Sequence, residues 1–226
     1  MAEFLYKIIP NVMDKQEDFF QAIWDTLVMA GWAGAFIIAF GLIVGVTLTV
    51  TRKDGIMQNT PLFQTIDKLV NLFRSIPFVI LLASLMPLSR VIMGSAIGVK
   101  GAIVPLIIGA VPFYSRQVET ALAEISPGKI EAALSMGCSP LGIIFRVYLR
   151  ESIPSIARGT TITIISLFGL IAMAGAVGAG GLGDFAIRYG HDRNQEDVTY
   201  VTVIVMVIIV SIVQIIGNTI AKKTRH

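Results

Sequence analysis

Only a few stretches of this sequence combine residue types and spacing in the way that chemistry requires. Residues 178–183, Gly-Ala-Gly-Gly-Leu-Gly, fit the G-x-G-x-x-G fingerprint of a dinucleotide site letter for letter. That site needs a strand before the glycines, a helix after them and an acidic residue about 20 positions on. Here the glycines end a long apolar run and Val201 to Val213 is apolar, so the ribose-binding carboxylate is missing. Gly128-Lys129 is not a P-loop either, because Ile130 stands where Ser or Thr belongs and Ala123 where the first glycine belongs. Any ATP-driven step must therefore take its phosphate-binding loop from a second polypeptide. A single cysteine, Cys138, forms no intramolecular disulfide, and His191 and His226 lie far apart, so no metal site is expected. Ser75, Ser84 and Ser166 have no ionisable partner within the apolar runs to activate them, which argues against an intramembrane hydrolase.

The stretch from Ile130 to Pro140, IEAALSMGCSP, suggests docking instead. Ser126-Pro127 reads as a helix start, with the serine hydroxyl accepting from orphan backbone N–H groups and proline in the first turn. Gly137 supplies a left-handed stop, so the helix is about ten residues or ~15 Å long, too short to cross a bilayer. Ser139-Pro140 starts a second helix through Ile143, Ile144, Val147 and Tyr148, with Arg146 and Arg150 on one side of it. Ile130, Ala133, Leu134 and Met136 give the first helix apolar faces that need burial. Ala132, Ala133 and Gly137 are small and permit close approach. Such a helix packs on its own bundle or docks a partner; the sharper expectation is docking.

The elements around it are those of a membrane protein. Hydrophobic residues make up 54% of the chain and charged residues 15%, well below the ~25% charged of soluble domains. Thr26 to Thr51, Gly159 to Gly183 and Val198 to Ala221 are each uncharged for longer than the ~20 residues a bilayer needs. Ser75 to Ser115 interrupts its apolar character only at Arg90 and Lys100, which snorkel to the interface. As helix that stretch would reach roughly 60 Å, enough for two spans, with Pro87 and Gly94-Ser95 marking the turn between them. Five spans result, near 22–51, 66–89, 95–118, 153–178 and 197–221. Residues 1–21 read as an extracytoplasmic or interfacial segment, with apolar positions 4, 5, 8, 9 and 12 on a short amphipathic helix kinked or ended near Pro10. Charges in that segment exclude a signal peptide. Residues 22–215 form one membrane domain and 216–226 a basic tail.

Cation placement orients the chain. With the C-terminus inside, Arg52, Lys53, Lys68, Arg74, Arg116, Lys129, Arg146, Arg150, Arg158, Lys222, Lys223 and Arg225 are cytoplasmic, twelve against the six outside (Lys7, Lys15, Arg90, Lys100, Arg188 and Arg193). The positive-inside rule then puts the N-terminus outside. The docking stretch falls in the longest inside loop. Asp184, Arg188 and Tyr189 begin an external loop available to an extracytoplasmic partner. A stand-alone ion-coupled carrier or channel for a small polar solute is the competing class, disfavoured because no ionisable residue falls deep inside a span. The net charge of +3 offers no footprint for nucleic acid. Pro77, Pro105, Pro112 and Gly109, with the small residues from Ala172 to Gly183, are expected to bend helices or let backbones approach.

A resemblance extends this reading. Glu131-Ala132-Ala133, Gly137 after three residues, then Val147 and Leu149 resemble the EAA loop of ABC importer permeases, whose pattern is EAA, three residues, G, nine residues, I, one residue, LP. Arg150 stands in place of the final proline. FRSIPFVILL (73–82), AIVPLIIGAVPFYSRQVETAL (102–122) and AMAGAVGAGGLGDFAIRYG (172–190) are similar to the methionine importer permeases within that family. The resemblance implies an all-α type I permease fold of five membrane helices and a short cytoplasmic coupling helix in a bacterial inner membrane. It implies a homodimer, two ATPase chains that use ATP and Mg, and an extracytoplasmic methionine-binding lipoprotein, with no cofactor on this chain. It assigns ATPase coupling to Glu131, Ala132, Ala133, Leu134, Gly137 and Ser139, and a mid-membrane gate to Met173. Ser75, Pro77, Pro112, Gly175 and Gly178 are the candidates to line or bend the pathway.

Overall fold

The computed structural model describes residue 6 and residues 8–224, and all regular structure among them is helical. Phe4, Leu5, Lys7, Arg225 and His226, used in the sequence reading, lie outside the described residues. Among the described residues four helices are long and apolar enough to cross a membrane: Gln16–Thr51, Gly98–Ala123, Ile153–Ala179 and Glu196–Lys223. In chain order the elements are α1 (Pro10–Met13), α2 (Gln16–Thr51), α3 (Thr60–Ser75), α4 (Phe78–Ser84), α5 (Met86–Met93), α6 (Gly98–Ala123), α7 (Pro127–Ser135) and α8 (Pro140–Ile143). A π turn, Ile144–Tyr148, leads to α9 (Leu149–Glu151) and α10 (Ile153–Ala174). A second π turn (Gly175–Ala179), α11 (Gly181–Phe185), a third π turn (Ala186–His191) and α12 (Glu196–Lys223) complete the chain.

The span expected at 66–89 is not one helix. Asn59 caps α3, its side chain accepting from Leu62 N at 3.1 Å, with Pro61 in the first turn. The helix therefore starts six residues earlier, at Thr60. It stops at Ile76, which is extended at φ −85°, ψ 123° because the residue before proline avoids the helical region. Pro77 then heads α4, and both Ile80 N and Leu81 N donate to its carbonyl at 3.0 Å. Pro87 does not make the expected turn; it sits in the first turn of α5, where its missing N–H costs nothing. The turn falls at Gly94, left-handed at φ 74°. At the other end of the chain, Ile9 is non-helical at φ −132°, ψ 57°, and Pro10 begins α1.

Two compact units divide the chain. The first comprises Met1–Ala35, Pro77–Ile107 and Ile164–Val213. Its core gathers Val12, Ala22, Leu182, Phe185 and Val198, flanked by Phe19, Ile23 and Tyr189. Asn11 ties α1 to α12 through two bonds to the Asp197 carboxylate, from its amide N at 3.0 Å and its Nδ2 at 2.9 Å. Tyr189 donates to Asp18 at 3.1 Å, and Lys15, Arg188 and Arg193 lie over its ring. The external loop expected from Asp184 is thus a packed helical segment. Leu182, Phe185 and Gly190 are buried in it, and that burial outweighs its poor helix propensity.

The second unit comprises Phe36–Ile76, Ile108–Thr163 and Gln214–His226. Glycines set its helix spacing. Gly41 and Gly45, one turn apart on α2, admit Tyr114 and Val118 of α6 so closely that an added β-carbon would lie 2.5 Å from Tyr114 Cδ1 or 2.6 Å from Val118 Cβ. This small-xxx-small spacing is how membrane helices associate without a hydrophobic driving force between them. On the α10 side, Tyr114 and Thr160 hydroxyls meet at 2.8 Å, and Gly217 of α12 seats Thr161. The Arg116 guanidinium joins α3 to α6, donating to Asp67, to Asn71 Oδ1 at 3.0 Å and to Glu119 Oε2 at 2.6 Å.

Candidate docking helix and pathway segment

The docking stretch forms as its residue types require. α7 is a nine-residue helix headed by Pro127. Ser126 caps it with its backbone carbonyl, which accepts from Lys129 N at 3.1 Å; its hydroxyl makes no capping bond. At the other end Gly137 adopts φ 76°, its N–H donates to the Leu134 carbonyl at 2.9 Å, and Cys138 N donates to Ala133 O at 3.1 Å. That pair of bonds is a Schellman stop, and no β-carbon at Gly137 would touch anything within 4 Å. The glycine is there for its backbone. Ser139 caps α8 as expected, its Oγ accepting from Gly142 N at 3.2 Å.

The helix is held on one face and open on the other. It packs against α8 and the following π turn, with Ala133 buried and Ile130 half-buried. Lys129 donates to Glu151 and pins its first turn to α9. Tyr148 is buried, and burial pushes its phenol above the usual range, partly offset by the nearby Arg52. Glu131, Ala132, Leu134, Gly137 and Ser139 face outward. So do Met136, 75% exposed, Leu141 and Phe145. Leu141 and Phe145 extend the apolar surface beyond the expected motif, one turn apart on the second helix. Their spacing is readable in the sequence, but which face is outward is settled by the burial of Ile143 and Ile144.

Met173 is 44% exposed in the last turn of α10. Beyond it the chain reverses through Gly178, Gly180 and Gly181, all at φ between 76° and 92°, a region that residues with a β-carbon rarely adopt. The reversal folds α11 against the end of α10. A β-carbon on Gly175 would lie 2.6 Å from Asp184 N, and one on Gly183 would lie 2.3 Å from Ala172 O. Gly175 is therefore buried packing, whereas Gly178 is exposed and lines a small apolar pocket with Leu82, Met86 and Ala102. Thr26 on α2 completes the segment: its Oγ1 accepts from Leu182 N at 2.8 Å and donates to Ala22 O at 2.9 Å. Nothing in the sequence singles out this residue, since its partner is 156 positions away. Ser75 and Pro77 are exposed around the α3–α4 break, and the Ser75 hydroxyl returns to Asn71 O at 2.9 Å. Pro112 is buried inside α6, which continues past it without interruption.

Known proteins share this arrangement. Residues 37–226 match the family model described as binding-protein-dependent transport system inner membrane component. The probable D-methionine transport system permease protein MetI of Vibrio cholerae is 45% identical over 205 residues, 91% of each chain. The D-methionine transport system permease protein MetI of Escherichia coli K12 is 48% identical over 155 residues, covering 69% of this chain and 71% of its own. A crystal structure of the MetNI methionine ABC transporter in an inward-facing conformation superposes with a TM-score of 0.91 at 43% identity, covering 94% of this chain and 99% of the other. An amino acid ABC transporter at 14% identity and a TM-score of 0.77 shares the fold. The chain belongs to the family of binding-protein-dependent transport system inner membrane components, as a type I importer permease whose ATP hydrolysis is carried out by a separate subunit.

Proposed function

We propose that this chain is the permease subunit of an ATP-driven methionine importer. The observation that carries the reading is the capped nine-residue α7, anchored through Ala133 and Lys129, with Leu134, its C-cap Met136 and, on α8, Leu141 exposed. The shared sequence with relatives named for D-methionine transport supports the substrate. Glu131, Ala132, Ala133, Leu134, Gly137 and Ser139 form the ATPase-coupling surface, with Ala133 acting from its packed side. ATP and Mg are held by the partner ATPase. Its closure on ATP moves α7 and shifts the permease between inward- and outward-facing states, which requires only that ATP bind the two states with different affinity. Met173 is the gate, and Ser75, Pro77, Pro112, Gly175 and Gly178 are the residues that line or bend the pathway. Two copies of the chain, two ATPase subunits and an extracytoplasmic binding lipoprotein make the complex. The N-terminus is outside and the C-terminus inside; residues 1–21 are an interfacial segment, 22–215 the permease domain and 216–226 a basic tail.

Co-purification in gentle detergent tests the docking surface. The wild-type chain retains its ATPase subunit, and Leu134→Arg with Met136→Arg releases it while the permease stays monodisperse. Retention of the ATPase by that double variant would overturn the assignment.

A further inference from the structure

Arg146, Arg150, Lys223 and Thr224 line one open groove with Glu151 and Pro154. All three cations are exposed. Arg146 and Arg150 are four residues apart on one helical stretch, so both guanidinium groups reach the same side. Among the described residues neither makes a hydrogen bond or ion pair with a carboxylate, while the groove's own carboxylate, Glu151, is engaged by Lys129. Three positive groups therefore converge on a groove whose negative charge is already compensated. An apolar strip runs up to it: Ile216 and Ile220, one turn apart and both exposed, lead along α12 to Lys222 and Lys223 in its last turn. Ile153 is exposed beside Arg150. A cationic groove at the end of an exposed apolar helix face has the chemistry of a phospholipid with a negative headgroup. A forked guanidinium pair matches phosphate oxygens, and basic pockets beside membrane helices hold anionic headgroups.

We propose that this groove is a binding site for an anionic phospholipid, its phosphate held by Arg146, Arg150 and Lys223 and its acyl chains lying along Ile216 and Ile220. Arg150 stands where the EAA pattern has proline, and the site gives that departure a purpose. The inference rests on the chain spanning a bilayer and is independent of the transported solute.

Native mass spectrometry of the purified permease–ATPase complex, equilibrated with phosphatidylglycerol or phosphatidylcholine, tests it. The wild type holds phosphatidylglycerol in preference. Arg146→Gln with Arg150→Gln weakens that binding roughly thirtyfold, from ~1 kcal/mol per cation near the membrane surface. Arg146→Lys with Arg150→Lys keeps most of it, and Lys53→Gln with Arg74→Gln, the same charge change elsewhere, leaves it intact. Equal phosphatidylglycerol retention by the Gln pair overturns the site, as does an equal drop in the control pair. Loss of the ATPase subunit with lipid retention unchanged assigns the groove to the partner and also overturns it. Retention is read without transport, so a failure of methionine uptake bears on the proposed function and not on the groove.

Discussion

The Thr26 hydroxyl on α2 accepts the backbone N–H of Leu182, 2.8 Å away across 156 residues of sequence, and so fixes the glycine reversal against the first long helix. Thr26→Val keeps the shape and removes the acceptor, leaving a buried amide unpaired at a cost of about 1–2 kcal/mol. We expect faster hydrogen exchange at Leu182 and a lower Tm, both restored by Thr26→Ser. Unchanged exchange in the valine variant would show that the reversal is held by packing alone.

Gly45 contacts backbone as well as side chain, with its added β-carbon 2.7 Å from Ser115 O, so its neighbour cannot yield by rotating. Gly45→Ala should destabilise the permease by about 1–3 kcal/mol through overpacking. Gly31→Ala is the control, because nothing lies within 4 Å of its β-carbon and the helix gains propensity. Thermal unfolding in detergent should separate the two; similar midpoints would contradict the close approach of α2 and α6.

Arg116 and Asp67 are 21% and 31% exposed in a network that also holds Glu119 and Asn71. Shared partners make single substitutions non-additive. A cycle of Arg116→Gln and Asp67→Asn should give a coupling energy of about 1 kcal/mol by thermal unfolding. Additive effects would mean that water screens the pair.

Met173 is exposed on α10 rather than buried in the chain's own core. Truncation to alanine removes a flexible thioether without opening a cavity in that core. We expect Met173→Ala to raise the leak of labelled methionine through the assembled complex, or its ATPase turnover without substrate, with little change in Tm. A large loss of stability with no leak would make Met173 a packing residue.

Much of this was legible in the sequence where the signal is local. Long uncharged runs announced α2, α10 and α12, the apolar stretch ending at Ser115 announced α6, and Gly137 and Ser139-Pro140 punctuated the docking stretch as the backbone demands. The second span is not one helix because the backbone breaks at Ile76-Pro77, although the apolar composition runs through it. α3 looked like part of a span although it is amphipathic and pairs Asp67 with Arg116, a tertiary partner no window reveals. From Asp184 the chain looked like an external loop, because the glycines before it break the fourth span. In the folded chain those same glycines let α11 lie against α10, and Thr26, Leu182 and Phe185 compensate by burial. The apolar pair Leu141 and Phe145 was visible in spacing, but its outward face depends on which side of the helix Ile143 and Tyr148 bury.

The most direct test of the coupling role is uptake of labelled methionine into liposomes carrying the permease and its ATPase subunit, wild type against Gly137→Asp. At φ 76° an aspartate strains the Schellman stop and places a charge on the outward face of α7. ATP-dependent uptake should be present in the wild-type complex, absent when the permease is reconstituted alone, and lost in Gly137→Asp although the chain inserts normally. Full uptake by that variant with normal ATPase binding, or ATP-independent uptake by the permease alone, would contradict the account.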